Sequence, residues 1–333
     1  MSKRRAFVTG ITGQDGSYLA ELLLDREYEV YGLVRRTSTN GTGRIAHILN
    51  RLELIPGDLS DSASLERALD LANPHEIYNL AAQTFVSASF VEPLHTADVT
   101  GLGALRLFEA ARQRCPSARI YHASSSEMYG KTPHVPQGED TPFQPVSPYG
   151  AAKVFAHYCA QLYRQAYKMF IACGINFNHE SERRGEEFVT RKITKAIARI
   201  KVGDQWKLHL GNLHAQRDWS HAEAVMRAAI FMLSKDTPDD YVIASGESHS
   251  VEEFVKLAFD CAGLTVEAHL VIDPALFRPS DVDVLQGDAQ KARRELNWAP
   301  TVSFSTLVSR MVQYDCEAYQ RSPAIVASYP RRP

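Results

Sequence analysis

Gly10, Gly13 and Gly16 lie between a short apolar segment and a helical pattern, and this arrangement constrains the fold more than any other feature. Residues 6–8 are predicted to form a buried strand, and residues 17–24 carry leucines at helical spacing. Three glycines there permit a tight bend, a close approach of backbone to a pyrophosphate, and close packing of helix on strand. Glycines also cluster in ordinary turns, but this position favours a dinucleotide-binding turn.

Strand and helix patterns continue to alternate through the first half of the chain. Strands are predicted over residues 29–34, 53–56, 76–80 and 119–123, and helices over residues 64–71 and 102–112. Such alternation predicts an α/β fold in which a doubly wound parallel sheet carries helices on both faces.

The pattern becomes less regular after His179. Helices are predicted over residues 188–202 and 251–261, and short strands over residues 207–210 and 240–243. We therefore expect two parts. Residues 1–178 form a dinucleotide-binding domain, and residues 179–333 mainly form a smaller mixed α/β substrate-binding region, some segments of which return to the sheet.

Composition excludes several other classes of protein. The 333 residues are 44% hydrophobic and 23% charged, which suits a packed core and excludes a disordered chain or a coiled coil. A net charge of −2 argues against a nucleic-acid surface. The five cysteines lack metal-site spacing, and no apolar stretch is long enough to span a membrane or serve as a signal peptide. We expect a cytoplasmic protein without a metal.

Two arginines follow the second predicted strand, about twenty residues after the glycine turn, where enzymes that prefer NAD carry an acidic residue. Arg35 and Arg36 suit the 2′-phosphate of NADP instead, because the guanidinium fork matches phosphate geometry. The alternative is a pair of solvated loop charges, and we favour NADP. Asp58 ends the next strand and either contacts the adenine amino group or serves as a turn aspartate.

A second constellation lies further along the chain. Tyr149 and Lys153 are one helical turn apart, and an ammonium close to a phenol favours the phenolate and lowers its pKa. Upstream, a run of three serines at residues 124–126 and then Glu127 follow a predicted strand, at the sheet edge where doubly wound folds bind their ligands. A serine there can donate a hydrogen bond to substrate, and a glutamate can act as a general acid or base. In isolation these two residues would equally suit a capped loop.

These motifs resemble those of the extended short-chain dehydrogenase/reductase superfamily, whose fold is Rossmann-type. Finer strings resemble the GDP-mannose 4,6-dehydratase family in particular. They run in family order from residue 8 to about residue 300 and include TGITGQDGSYLAELLL, SSSEMYG, SPYGAAK, NFNHESERRGEEFVTRKI, LGNLHAQRDW and FRPSDVDVLQGD. The segment NHESERRGEEFVTRK is especially specific, because generic nucleotide-sugar enzymes of the superfamily lack it.

The resemblance implies roles for individual residues. The family's catalytic Thr, Glu and Tyr fall on Ser125, Glu127 and Tyr149, with Lys153 as their companion. NADP contacts fall on Gly10, Ile11, Thr12, Gly13, Gln14, Asp15, Gly16, Asp58, Leu59, Leu80, Ala81, Ala82, Gln83, Thr84, Tyr149, Lys153, His179 and Arg184, besides Arg35 and Arg36. The GDP-sugar would contact Asn178, Lys192, Arg217 and Arg278. The family usually assembles as dimers through helices beside the active-site tyrosine, and often as tetramers, in which the loop that corresponds to Arg35–Arg44 reaches toward a neighbouring subunit's cofactor.

The implied reaction is GDP-mannose 4,6-dehydration. Tyr149 takes the proton of the sugar 4-hydroxyl, Ser125 contacts the resulting carbonyl oxygen, and Glu127 removes the proton at carbon 5 so that the 6-hydroxyl leaves as water. Hydride passes to NADP and returns to carbon 6. A non-catalytic NADP-sensing protein is the alternative from a different class, but such regulators commonly lack the tyrosine or the lysine.

Several positions depart from the family pattern. Serine replaces threonine at Ser125, Asp281 replaces a glutamate, and His95 stands where tyrosine is expected. Residues 223–225 are Glu-Ala-Val where the family has Asp-Tyr-Val. These changes would suit a GDP-manno-heptose dehydratase, and a 4-reductase or 4-epimerase is a further alternative, although neither of the latter needs Glu127 as a base.

Overall fold

The computed structural model describes residues 3–36 and 41–321. Its strands are β1 Arg5–Thr9, β2 Glu29–Val34, β3 Leu52–Pro56, β4 Glu76–Asn79, β5 Arg119–Ser125, β6 Ile171–Asn176, β7 Asn178–Glu180, β8 Leu208–Leu210, β9 Gln216–His221, β10 Asp240–Ile243, β11 Ser248–Ser250, β12 Leu270–Ile272 and β13 Val284–Leu285.

The α-helices are α1 Gln14–Leu24, α2 Ser62–Ala72, α3 Val86–Val91, α4 Pro93–Thr96, α5 Gly103–Arg114, α6 Pro148–Tyr167, α7 Val189–Lys201, α8 Ala222–Leu233, α9 Val251–Ala262, α10 Val266–His269, α11 Gln290–Leu296 and α12 Phe304–Arg321. Short 3₁₀ segments cover Gly43–Arg51, Ser126–Met128 and Pro274–Leu276, and a π-helical turn covers Ala97–Leu102.

A seven-stranded sheet forms the centre of the molecule. Its strand order is β10-β6-β5-β4-β1-β2-β3, and every neighbouring pair is parallel. The direction of winding reverses between β1 and β4, and such a reversal opens a crevice at the carboxyl ends of the strands. The predicted doubly wound α/β fold is confirmed, and strand β10 shows a segment of the second half returning to the sheet.

Helices bury both faces of this sheet. Leucines and alanines of α1 and α8 pack on one face, whereas α2, α5 and α6 pack on the other. Because both faces are covered, the middle of the strands is buried and mostly apolar, as β1 illustrates with Phe7 and Val8 fully buried between Arg5 and Thr9. A third apolar cluster joins α7, α9 and α12 around Trp219 and supports the smaller second region.

Local sequence explains where the helix carrying the predicted tyrosine and lysine begins. Ser147 precedes α6, and its hydroxyl accepts a hydrogen bond from the backbone N–H of Gly150 at 3.0 Å. Pro148 occupies the first helical position, where a missing N–H costs nothing. The start of α6 is therefore fixed, and Tyr149 lies in its first turn.

Element bounds differ from the predictions mainly at helix ends. Helix α1 begins at Gln14 rather than residue 17, since the turn itself starts the helix. Helix α5 begins only at Gly103 and continues to Arg114, because the π-helical turn precedes it. The strands predicted over residues 29–34 and 240–243 match β2 and β10.

We predict that Gly16→Ala destabilises the protein. A Cβ at this position would lie 2.2 Å from the carbonyl oxygen of Gly10 and 2.5 Å from the Cα of Ile11, so the turn would have to open. Overpacking of this kind costs about 1–3 kcal/mol in the free energy of unfolding, which denaturant titration would measure. Gly138→Ala is the control, since nothing lies within 4 Å of its added Cβ. Equal stability of the two variants would contradict this account of the turn.

Candidate active site

The glycine turn connects β1 to α1 at the point where the sheet reverses. Gly10 has φ of 72°, and a Cβ there would lie 2.9 Å from the backbone nitrogen of Ala81 at the end of β4. Gly13 donates its N–H to the carbonyl oxygen of Gly10 at 2.9 Å. Among the described residues, no side chain caps the first turn of α1, so its N–H groups and positive dipole end are available to an anion.

A hydroxyl holds the end of β4 beside this turn. Thr9 Oγ1 accepts hydrogen bonds from the N–H groups of Leu80 and Ala81, both at 3.1 Å, and donates to Asn79 Oδ1 at 2.8 Å. Gln83 follows this segment two residues after Ala81. Its side-chain oxygen Oε1 is buried and has no hydrogen-bond partner in the described part of the chain. A buried acceptor of this kind normally receives a hydrogen bond, so a donor from outside the described residues would satisfy it.

Ser125 and Glu127 lie at the carboxyl end of β5, next to the start of α6. The N–H of Glu127 donates to Ser125 Oγ at 3.2 Å. Gly150 packs against the backbone of Glu127, where a Cβ would lie 2.6 Å from the carbonyl oxygen. This close approach brings Tyr149 beside the two residues, with the Ser125 hydroxyl near enough to lower the pKa of the phenol.

The predicted lowering of the pKa of Tyr149 is wrong for this structure. Burial raises the pKa to about 12, because it penalises the phenolate, and the Ser125 hydrogen bond opposes the rise only in part. Lys153 Nζ lies 5.8 Å from the centre of the Tyr149 ring and donates to the carbonyl oxygen of Ala123 at 2.6 Å. The ammonium therefore contacts the end of β5 rather than the phenol oxygen.

Lys153 itself is almost completely buried. Burial lowers the pKa of its ammonium to about 8, because the charged form loses water, and the carboxylate of Asp15 opposes this effect. A lysine with such a pKa exchanges protons readily near neutral pH.

A cavity of about 440 Å³ extends from this group towards the second region, and we call it the active-site cleft. The predicted site residues that line it are Asp15, Leu80, Thr84, Ser125, Glu127, Tyr149, Lys153, Asn178, His179, Arg184, Lys192, Arg217 and Arg278. All residues predicted to be catalytic or to contact the GDP-sugar thus face one space.

The other predicted cofactor residues lie outside the lining of the cleft. Ile11 and Leu59 are buried, so their side chains serve the core. Arg35 and Arg36 are exposed just after β2. Burial would raise the pKa of Asp58, but hydrogen bonds from Ser60 and the nearby charge of Arg35 lower it. Within the predicted loop Arg35–Arg44, residues 37–40 lie outside the described residues.

The far end of the cleft is cationic. Arg217 is buried on β9 and donates through Nη1 to the carbonyl oxygen of Val282 at 2.7 Å. Arg217 Nη2 and Arg278 Nη1 approach the same oxygen, Oδ1 of Asp281, at 2.9 and 3.3 Å. Burial lowers the pKa of Lys192, which lies on α7 in the same space. These cations suit a diphosphate that leaves water.

The remaining departures from the family pattern lie away from the reacting groups. His95 is exposed on α4. Burial would raise the pKa of Asp58, the Ser60 hydrogen bonds lower it, and His95 is close enough to add a smaller lowering effect. Glu223 pairs with Arg227 on α8. The carbonyl oxygen of Ala224 accepts a hydrogen bond from Trp298 Nε1 at 2.7 Å. Residues 223–225 therefore support packing and do not line the cleft.

Sequence reasoning missed several groups in the cleft. Phe85 and Phe188 meet edge to face across it with ring centres 5.7 Å apart, and the Arg184 guanidinium lies 3.5 Å from the centre of the Phe188 ring. Phe277 also lines the cleft, and its position just before Arg278 was the only available signal. An ion pair between Asp15 and His179, with atoms 2.9 Å apart, joins residues so distant in sequence that no spacing could reveal it.

Comparisons with known proteins identify the family of the chain. A family model described as GDP-mannose 4,6 dehydratase matches residues 7–311. The chain is 51% identical over 335 residues to GDP-mannose 4,6 dehydratase 1 of Arabidopsis thaliana, covering 97% of this chain and 92% of the relative. It is 47% identical over 345 residues to GDP-mannose 4,6 dehydratase of Homo sapiens, covering 96% and 93%.

A solved structure shares the same fold. UDP-glucose 4-epimerase of Thermus thermophilus, in complex with NAD, superposes with a TM-score of 0.83 and 26% sequence identity. The match covers 93% of this chain and 98% of the epimerase.

We predict that Lys153→Met raises the thermal stability at neutral pH while it abolishes activity. Burying the ammonium destabilises the folded protein. Because the pKa is near 8 rather than 10.5, replacing the lysine should raise the free energy of unfolding by about 1–3 kcal/mol. Because the unfolded chain binds the extra proton, this gain should shrink as the pH rises from about 8 to about 10.5. Thermal melts across this range would measure it.

Lys201→Met is the matched control, because Lys201 is exposed at the end of α7. It should change the melting temperature little at any pH. A melting temperature of Lys153→Met that lies below the wild type throughout would show that the contact with Ala123 outweighs the cost of burying the charge.

Proposed function

The chain belongs to the GDP-mannose 4,6-dehydratase family, and from this premise we propose that it converts GDP-D-mannose to GDP-4-keto-6-deoxy-D-mannose and water. The observation that carries the proposal is the shared cleft. Ser125, Glu127 and Tyr149 face the same space as the cations Arg217 and Arg278, so a diphosphate at one end places its sugar at the other.

A nicotinamide dinucleotide is the cofactor, and the residues present fit it. The N-terminus of α1 suits the pyrophosphate, and the unpartnered oxygen of Gln83 suits a polar donor. Arg35 and Arg36 support NADP rather than NAD. When bound, NADP accepts a hydride from carbon 4, returns it to carbon 6, and in its oxidised form adds a positive charge that favours phenolate at Tyr149.

The protein's own residues handle the protons. Tyr149 takes the proton of the 4-hydroxyl, with Lys153 buried behind it, and Ser125 donates a hydrogen bond to the developing oxyanion. The 4-ketone acidifies carbon 5, and Glu127 takes that proton and passes it to the departing 6-hydroxyl, which leaves as water. The proton held by Tyr149 then returns to carbon 5, so that the atoms balance.

The alternatives fit less well. The relatives at 47–51% identity are named for GDP-mannose, which supports that sugar over GDP-manno-heptose. A 4-epimerase or 4-reductase would not need a carboxylate at Glu127. A non-catalytic NADP sensor would not need Tyr149 and Lys153 in one cleft with the diphosphate cations.

We extend the proposal to assembly and location. Val91, Leu94 and Leu162 are at least 60% exposed on α3, α4 and α6, the last of which also carries Tyr149. Such an apolar face supports a homodimer or homotetramer built through these helices. All five cysteines are free, and no helix of the described residues is long and apolar enough to cross a membrane. Free thiols support a cytoplasmic location.

Mass spectrometry of the protein with NADP⁺ and GDP-mannose tests the activity, with GDP-manno-heptose in parallel. We expect a product lighter by one water and no net NADPH. Tyr149→Phe should lose about 10²–10⁴-fold in turnover without accumulating reduced cofactor, because the first oxidation itself becomes slow. Glu127→Gln should lose turnover as much, yet accumulate reduced cofactor in a single turnover, because carbon 4 is oxidised but the carbon 5 proton stays in place.

Glu187→Gln provides the control, since this exposed carboxylate lines the same cleft without an assigned role. It should retain normal turnover. Full dehydration by Glu127→Gln would refute the assignment of the base, and an unchanged mass of both sugars in a protein that binds NADP would refute the proposed function.

Arg35→Ala tests the choice of cofactor. Loss of a charge-assisted phosphate contact should raise the Kd for NADP⁺ about ten- to a hundredfold and leave the Kd for NAD⁺ nearly unchanged. Fluorescence or calorimetric titration with each nucleotide would measure this. Arg67→Ala is the control, because Arg67 is 67% exposed on α2 and its nearest carboxylate oxygen is 4.0 Å away. Equal weakening of both nucleotides would exclude a 2′-phosphate contact.

A further inference from the structure

Four side chains join the phosphate-binding turn to the segment of residues 177–184. Gln14 Nε2 donates to Asp15 Oδ1 at 3.0 Å and to the carbonyl oxygen of His179 at 3.1 Å. Gln14 Oε1 accepts a hydrogen bond from Ser181 Oγ at 2.7 Å. The second oxygen of Asp15 lies 2.9 Å from His179 Nε2. We call Gln14, Asp15, His179 and Ser181 the turn latch.

The latch requires a doubly protonated imidazole. His179 Nδ1 lies 2.7 Å from the carbonyl oxygen of Phe177, and Nε2 faces the Asp15 carboxylate. Both oxygens only accept hydrogen bonds, so each ring nitrogen must carry a hydrogen. The pKa values agree, since burial alone would oppose both charges, yet the pair holds Asp15 at about 2 and raises the pKa of His179 above its usual 6.5.

The charge of His179 matters because of where Asp15 lies. Asp15 is in the first turn of α1, at the helix end that we propose for the cofactor phosphates. Its carboxylate would repel phosphates there unless it is neutralised. Both of its oxygens are turned to Gln14 and His179 instead of capping the helix.

The neighbouring charges do not replace His179. Arg184 follows it in the chain and acts against its protonation, but Arg184 is paired with the buried carboxylate of Glu180. The Asp15 carboxylate raises the pKa of Lys153 against the larger effect of burial, but the ammonium of Lys153 donates its hydrogen bond to the carbonyl oxygen of Ala123 on β5. His179 is therefore the cation in direct contact with Asp15 among the described residues.

We propose that Asp15 and His179 are positioning residues for the dinucleotide. The imidazolium neutralises Asp15 at the phosphate end of α1, and it holds the segment bearing Asn178 and Arg184 against the turn. This inference rests on the proposed function for the presence of a dinucleotide, and it adds the charge state on which binding depends.

The expected pH dependence follows from the sign of the charge. Below its raised pKa, His179 is protonated and Asp15 is neutralised, so binding is tight. As the pH rises through that pKa, the counter-charge is lost and affinity falls. Bound phosphates stabilise the imidazolium further, so binding above neutral pH takes up a proton.

Calorimetric titration of the nucleotide-free protein with NADP⁺ tests the proposal, from about pH 6 to about pH 9 and in buffers of different ionisation enthalpy. Loss of one neighbouring charge should raise the wild-type Kd about tenfold over this range. His179→Gln should bind weakly throughout, Asp15→Asn should bind tightly throughout, and neither should show the wild-type proton uptake. The 2′-phosphate of NADP titrates equally in all variants and cancels in the comparison.

The double variant Asp15→Asn/His179→Gln separates charge from structure. It should bind better than His179→Gln alone, whereas a merely structural latch would make the double variant worse than either single one. His47→Gln is the matched control, since His47 lies outside the cleft and pairs with Glu21 on α1, the helix that also carries Asp15. This variant should keep the wild-type profile. A pH-independent wild-type Kd without proton uptake would overturn the latch, whereas no binding of NADP⁺ at any pH would instead overturn the proposed function.

Discussion

The close approach of the first turn to the end of β4 is the constraint on which the site depends. Gly10 takes a positive φ and leaves no room for a side chain against Ala81, while Thr9 fastens the N–H groups that follow β4. This contact lies where the strand order reverses, which is where a doubly wound sheet opens a crevice for its ligand. The first turn of α1, the end of β5 and the first turn of α6 all contribute residues to the active-site cleft there.

Burial creates both the cost and the reactivity of the site. A buried phenol with a raised pKa and a buried ammonium with a lowered pKa are each disfavoured as ions, and the structure compensates only partly through Ser125 and the carbonyl of Ala123. The lowered pKa of Lys153 lies near neutral pH, so its protonation can change with small changes in surroundings, whereas the raised pKa of Tyr149 keeps the phenol protonated until a bound charge favours the phenolate. The same balance explains why stability and activity are expected to oppose each other at Lys153.

Local patterns in the sequence predicted the sheet because its strands are short, apolar and separated by helices. They also predicted the cleft residues, although mainly through the family resemblance, since Arg217 or Lys192 alone would pass for surface charge. The predicted direction of the pKa shift of Tyr149 was wrong, because spacing along a helix reveals a neighbouring charge but not the burial of the phenol away from water. The contact between Asp15 and His179 was invisible because it forms only when β1 and β6 lie in one sheet.

Asp281 shows how a departure from the family pattern can be accommodated. One of its two carboxylate oxygens, Oδ1, accepts hydrogen bonds from Arg217, Arg278 and the N–H of Val282 at 2.9–3.3 Å, so the shorter side chain still bridges both arginines. Two guanidinium groups repel each other, and one carboxylate between them reduces the repulsion while leaving a net positive charge. Arg217 is further anchored by backbone carbonyls, whereas Arg278 has one anchor and is more exposed. Arg217 is therefore the more firmly held of the two cations, and under the proposed function it would be the fixed contact for a diphosphate and Arg278 the more adaptable one.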